Sequence, residues 1–124
     1  MNDFNALDCV LTVVAEIFER DAASLSAKTH LMQDLPCESI DLLEIAARLS
    51  REAGREVDDD ALFLRNARVM VQEHPGQTVE QVLAASFPWI GEVRRAEIAE
   101  EIKDPAPFVT LGDMASYLAF LMTK

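Results

Sequence analysis

Apolar side chains recur at steps of three and four along most of this chain. No stretch of useful length alternates with the period of two that a strand requires. Phe4, Leu7, Leu11, Val14, Ile17 and Phe18 predict a helix over residues 3–20 with one apolar stripe. Glu16 and Arg20 are spaced on it for a surface ion pair. Residues 21–38 lose the period and read as a long loop, held down by Leu25, Leu31 and Leu35, because a long loop in a compact domain needs pinning. A second helix is predicted over 39–52. Ser39 is placed to cap it, since a serine hydroxyl there accepts an otherwise orphan backbone N–H. Ile40, Leu43, Ala46, Ala47 and Leu49 give its apolar face, Asp41, Glu44, Arg48 and Arg51 fall largely elsewhere, and Gly54 is its left-handed stop.

Asp58-Asp59-Asp60 reads as an acidic helix start, favoured by the helix dipole; it lacks the spacing and glycine of a calcium loop. A helix is expected over 61–73, broken by His74-Pro75-Gly76. Thr78-Val79-Glu80-Gln81 has the form of a capping box and opens a helix that Pro88 interrupts, with Trp89 following. Residues 91–103 form a charged helix carrying Val93, Ile98, Ala99 and Ile102, and 104–107 are a proline-containing linker. Thr110-Leu111-Gly112-Asp113 opens the last helix as a near capping box, with Leu111, Met114, Ala115, Leu118 and Leu121 or Met122 on its apolar face. The fold class is therefore all-α, in a single domain over 1–124.

A chain of 124 residues, half of them apolar, buries roughly two-thirds of its unfolded surface, so a core forms without disulfide or metal staples. Charge changes the picture more. The formal net charge is −11, from 22 acidic and 11 basic residues, and residues 1–47 hold nine acids against two bases. Such a surface repels nucleic acid and anionic membranes and favours basic partners. No apolar run approaches a membrane span, and Met1-Asn2-Asp3 does not begin a leader, so a cytoplasmic protein is expected. Cys9 falls on an apolar helical stretch as a core residue. Cys37 lies in the loop with no histidine placed beside it by sequence. His30 reads as a solvated loop residue. Two histidines far apart, no phosphate-binding glycine loop and no metal-ligand cluster argue against an enzyme.

The stretch Asp34-Leu35-Pro36-Cys37-Glu38-Ser39-Ile40-Asp41-Leu42-Leu43-Glu44 resembles the attachment site of the acyl carrier proteins. Asp34, Leu35, Glu38, Ser39 and Ile40 stand at the motif positions; the family usually has Gly, Asp and Leu where Pro36, Glu38 and Ile40 stand. The resemblance extends to the long first loop, to the acidic turn near Asp58 and to Thr110-Leu111-Gly112-Asp113. It implies a four-helix acyl-carrier-like bundle, with a helical insertion at about 66–107. The third bundle helix is either the segment from Asp58 or residues 96–102.

The resemblance also implies that Ser39 is esterified by the 4'-phosphopantetheine arm of coenzyme A, whose thiol holds an acyl group as a thioester. A phosphate there would meet free N–H groups and the positive end of the helix dipole. Implied partners are a phosphopantetheinyl transferase and acyl-handling enzymes with basic surfaces, in fatty acid, lipid or polyketide-type biosynthesis, meeting Glu38, Asp41 and Glu44 on a monomer. The alternative is an unmodified helical interaction module of the same fold. Phe63, Val69, Val71, Val82, Phe87, Trp89 and Ile90 make the insertion too apolar to stand in water: it packs on the bundle, on itself or on a partner.

Overall fold

The computed structural model describes residues 4–123. Asp3, the expected start of the first helix, and the Met1-Asn2-Asp3 leader reading lie outside the described residues. Helix α1 (Ala6–Ile17) begins after Asn5, whose side chain accepts the Asp8 N–H at 2.9 Å. It buries Val10, Val13, Val14 and Ala15, while Leu7, Leu11, Ile17 and Phe18 flank that face half-buried. Glu16 pairs with Arg48 on α3 (Ser39–Ala53) rather than with Arg20. Arg20 falls past the helix end, beyond a left-handed Glu19 (φ 53°).

The predicted loop holds two short helical pieces, a 3-10 turn at Ala22–Ser24 and the one-turn α2 (Leu31–Asp34). Leu25, Leu31 and Leu35 are all buried, as their spacing suggested. Helix α3 ends at Gly54, which takes the left-handed φ of 67° that a side chain would strain. Its face is rotated from the predicted one. Leu42, Ile45, Ala46, Leu49 and Ala53 are buried, whereas Ile40 and Leu43 are 73% and 61% exposed and Ala47 is also outside. The helix carries two overlapping apolar stripes, and packing against α1 selects the one containing Ile45 and Leu49.

The helix predicted over 61–73 is two helices, α4 (Asp59–Leu62) and α5 (Ala67–Glu73). Leu64 turns left-handed between them (φ 53°), which lets Phe63 and Leu64 enter the core. Asp58 caps α4 by accepting the Asp60 N–H, as an acidic helix start should. Helix α4 packs on α3 and on α8 (Leu111–Met122), so the segment from Asp58 joins the bundle. Residues 96–102 lie instead in and just past α7 (Glu92–Glu101), whose helix partner is α6 (Val79–Ser86). The capping box of α6 is present in both directions, Gln81 N–H to Thr78 Oγ1 at 3.1 Å and Thr78 N–H to Gln81 Oε1 at 2.9 Å.

The α5–α7 layer shares one core with the bundle: Leu83, Phe87, Ile90 and Ile98 cluster with the buried residues of α1, α3 and α8. Trp89, half-buried, sets its ring edge-on to Phe87 and Tyr117 at 5.6 and 5.0 Å. Val69 and Val93 are exposed, so the apolar side predicted for 91–103 rests on Ile98 rather than on Val93. Arg68 fastens the outgoing linker, donating to Ile102 O, Asp104 O and Ala106 O at 2.6, 2.6 and 2.7 Å.

The loop before α2 and the start of α8 meet as a short antiparallel joint. Leu31 N–H donates to Val109 O at 3.0 Å, Leu111 N–H to Thr29 O at 2.9 Å and Gly112 N–H to Ala27 O at 2.9 Å. A Cβ on Gly112 would stand 2.8 Å from Ala27 O. Backbone cannot swing away as a side-chain tip can, so Gly112→Ala should force the joint apart and destabilise by about 1–3 kcal/mol. Urea unfolding would show this as a lower midpoint with an unchanged slope.

Candidate functional site

Ser39 is the first residue of α3, not its cap. Glu38 holds the cap position in an extended conformation, and its N–H donates to Asp41 Oδ2 at 2.8 Å. The local sequence accounts for this. Leu35 is extended, as a residue before a proline prefers, and Cys37 N–H closes a tight turn across Pro36 onto Leu35 O at 2.8 Å. Glu38 then enters the helix with an acid three residues on, the layout of a capping box. The Ser39 side chain is therefore released from capping: it is exposed, and among the described residues its hydroxyl makes no hydrogen bond. It stands in the first turn, where backbone N–H groups lack intrahelical partners and the helix dipole is positive.

The other predicted site residues surround it unequally. Glu38 and Glu44 are exposed, whereas Asp41 is half-buried and engaged with the Glu38 backbone. Ile40 and Leu43 stand outward among them; sequence periodicity had assigned both to the core. The signal that could have found them was the competing stripe of Leu42, Ile45 and Leu49 in the same helix. Cys37 is half-buried beside the serine. Burial first, and then the charge of Asp41, pushes its thiol up to about 11. A thiol held that high stays protonated near neutrality and is a poor nucleophile. Among the described residues no cluster of acids, histidines or cysteines is arranged to hold a metal ion, the Asp58-Asp59-Asp60 run included.

His30 is not the solvated loop residue expected. Its Nε2 lies 2.5 Å from Glu101 Oε1 across 71 residues of chain, and its backbone N–H donates to Asp34 Oδ2 at 2.8 Å. Glu101 is also bound by Arg94. The Arg94 fork grips Asp113, Nε to Oδ1 at 2.8 Å and Nη2 to Oδ2 at 3.0 Å, and Nη2 also donates to Phe108 O at 2.8 Å. Asp113 is 2% exposed, so its charge has little water and depends on this fork. Burial alone would lower the Arg94 pKa, but Asp113 and Glu101 raise it instead. Burial likewise works to raise Glu101, and His30 and Arg94 outweigh it, holding the carboxyl below its ordinary range. Nothing in local sequence spacing signals a network drawn from an early loop, α7 and α8. Beside it, a cavity of about 470 Å³ opens between α1, α7 and α8, lined by Leu7, Ile90, Arg94, Ala115 and Ala119 among others.

Comparison with known proteins bears on the Ser39 region. Residues 9–72 match the family described as "Phosphopantetheine attachment site". Over 60 residues the chain is 35% identical to an acyl carrier protein of Lactobacillus acidophilus, a span that is 48% of this chain and 75% of that protein. No solved structure matches the chain. The chain belongs to the phosphopantetheine attachment-site family, which comprises carrier proteins, and its prosthetic group is covalently attached 4'-phosphopantetheine. The all-α architecture agrees with that membership. An exposed, unengaged hydroxyl in the first turn of a helix suits a phosphodiester, whose anionic oxygens can take the orphan N–H groups. The match ends within α5, so α6, α7, α8 and, with them, Arg94, Glu101 and Asp113 lie outside it, while His30 lies inside.

The network carries its own pH dependence. Glu101 has a folded pKa below its ordinary value of 4.5, so the unfolded chain binds the extra proton first as pH falls. Its stabilising contribution is complete above about pH 4.5 and is lost as pH drops through the depressed value. Glu101→Gln should therefore lower the thermal midpoint at pH 7, and the gap from wild type should narrow as pH falls below 4.5. A gap that stays constant across that range would contradict the ion-pair reading.

Proposed function

We propose that Ser39 is the attachment residue, and that the protein carries an acyl group as a thioester and presents it to partner enzymes. The supporting observation is the placement of Ser39 in the matched family segment: exposed, unbonded and relieved of capping by Glu38 and Asp41. When bound, the group supplies the thiol that forms the thioester; the protein supplies placement. In attachment, the Ser39 Oγ–phosphorus bond forms as coenzyme A loses its nucleotide part, and the serine proton passes to the transferase. The chain itself acts as a non-catalytic carrier in this reading, and the protonated Cys37 thiol is consistent with that.

The partners proposed are the phosphopantetheinyl transferase and acyl-handling enzymes of fatty acid, lipid or polyketide-type biosynthesis, met by a cytoplasmic monomer. Among the described residues no helix is long and apolar enough to cross a membrane. Glu38, Asp41 and Glu44 would meet basic partner surfaces, with Ile40 and Leu43 adding exposed apolar area between them. Asp41 does double duty as the partner of the Glu38 backbone, which makes Glu44 the cleaner probe of charge. Residues 66–107 we take as an insertion that enlarges the core of a single 1–124 domain, on the strength of Leu83, Phe87, Ile90 and Ile98 joining it.

Two measurements test the proposal. Incubated with coenzyme A, magnesium and a permissive transferase, the wild type should gain one phosphopantetheine by intact mass. Ser39→Ala should gain none while keeping its helical content, because its side chain bonds to nothing that a methyl group would lose. A modified alanine variant would move the site elsewhere, and a wild type that no transferase modifies would favour the interaction module. Glu44→Lys should slow modification at low ionic strength and approach the wild-type rate as salt rises, since exposed charges are screened beyond about 10 Å at 0.1 M.

A further inference from the structure

The α5–α7 layer and its outgoing linker grip the segment that leads to Ser39. Just before the linker, Glu101 Oε1 meets His30 Nε2 at 2.5 Å. In the linker, Pro107 O accepts from Gln33 Nε2 at 2.5 Å, and beyond it Val109 O accepts from Leu31 N–H at 3.0 Å. All three contacts fall on α2 or on His30, its cap residue. Arg94 binds Glu101 and is forked onto buried Asp113 of α8, so the grip is anchored to the core.

Between α2 and Ser39 the chain has little slack. His30 N–H is bonded to Asp34 Oδ2 at 2.8 Å. Leu35 is buried, Cys37 N–H closes onto Leu35 O at 2.8 Å, and Glu38 N–H closes onto Asp41 Oδ2 at 2.8 Å. Successive pieces are pinned to one another, so a shift of α2 against α8 is passed along to the serine rather than absorbed.

We propose that Glu101 and His30 are positioning residues for Ser39, the α7 end acting as a strut that holds the serine where a transferase can use it. The proposal rests on Ser39 being the attachment residue. The α7 half of the strut lies outside the span that matches the family, so it is a device of this chain rather than of the matched segment. Neither residue touches the reacting hydroxyl; both act through α2 and the turn at Cys37.

The test uses full-length His30→Ala, Glu101→Ala and the double variant, with Val82→Ala as control. Val82 is buried in α6 and shares none of these contacts, so its loss weakens the same layer without releasing α2. Rates of phosphopantetheine incorporation from coenzyme A are read by intact mass over a range of carrier concentrations, well below every unfolding midpoint. Amide hydrogen exchange over residues 33–41 is read in parallel. The strut variants should lose about tenfold in kcat, because small misplacements of a reacting group are costly, with little change in KM for the carrier. The double variant should be no slower than the slower single, and residues 33–41 should exchange faster. Val82→Ala should keep the wild-type kcat. Unaltered kcat in the strut variants, or an equal loss in Val82→Ala, overturns the positioning role. A wild type that gains no mass overturns the Ser39 reading itself, a different result from a modified wild type with unaffected variants.

Discussion

The backbone joint between residues 27–31 and 109–112 is the constraint on which the rest depends. It ties the long early loop to the start of the last helix, far apart in sequence, by three N–H to carbonyl bonds. Loop backbone taken out of water needs such partners, and here they come from the start of the last helix and the residues leading into it rather than from a sheet. The joint closes because Gly112 has no side chain at the point where Ala27 O arrives. Leu31, Val109 and Leu111 then bury together in the core.

A second fastening lies beside the first. Asp113 is both the acid of the last helix's capping box and a buried charge, and Arg94 of α7 answers it with a two-bonded fork. Removing one member of such a pair leaves the other charge unpaired away from water, commonly a larger loss than the pair's net worth. Helix α7 is therefore held at its polar side by charge, while Ile98 holds its apolar side. Glu101 carries the same network outward to His30.

In the function proposed for Ser39, these fastenings bear on the site through the segment they hold. Ser39 is left spare: Glu38 and Asp41 do the capping, and α3 turns Leu42, Ile45 and Leu49 inward. The outward face left behind mixes carboxylates with Ile40 and Leu43. The nearby Cys37 thiol, held up by burial and by Asp41, stays protonated near neutrality.

Much of this was legible in the chain itself. Gly54, Pro88 and the boxes at Thr78 and Thr110 are local signals, and each marks an element boundary the structure keeps. The Asp34 to Glu44 motif pointed to the family, and to Ser39 as the proposed attachment residue, because its residues are consecutive. Leu25, Leu31 and Leu35 were readable as anchors because a long loop must bury something. Tertiary structure alone decided the rest. Which of two stripes on α3 faces inward depends on the position of α1, and whether residues 61–73 make one helix or two depends on the core drawing in Phe63 and Leu64. Glu16 chose Arg48 over Arg20 because the helix ended before Arg20 and α3 lay alongside. His30, Arg94, Glu101 and Asp113 meet only when the early loop, α7 and α8 are folded together, and no spacing along the chain encodes that meeting.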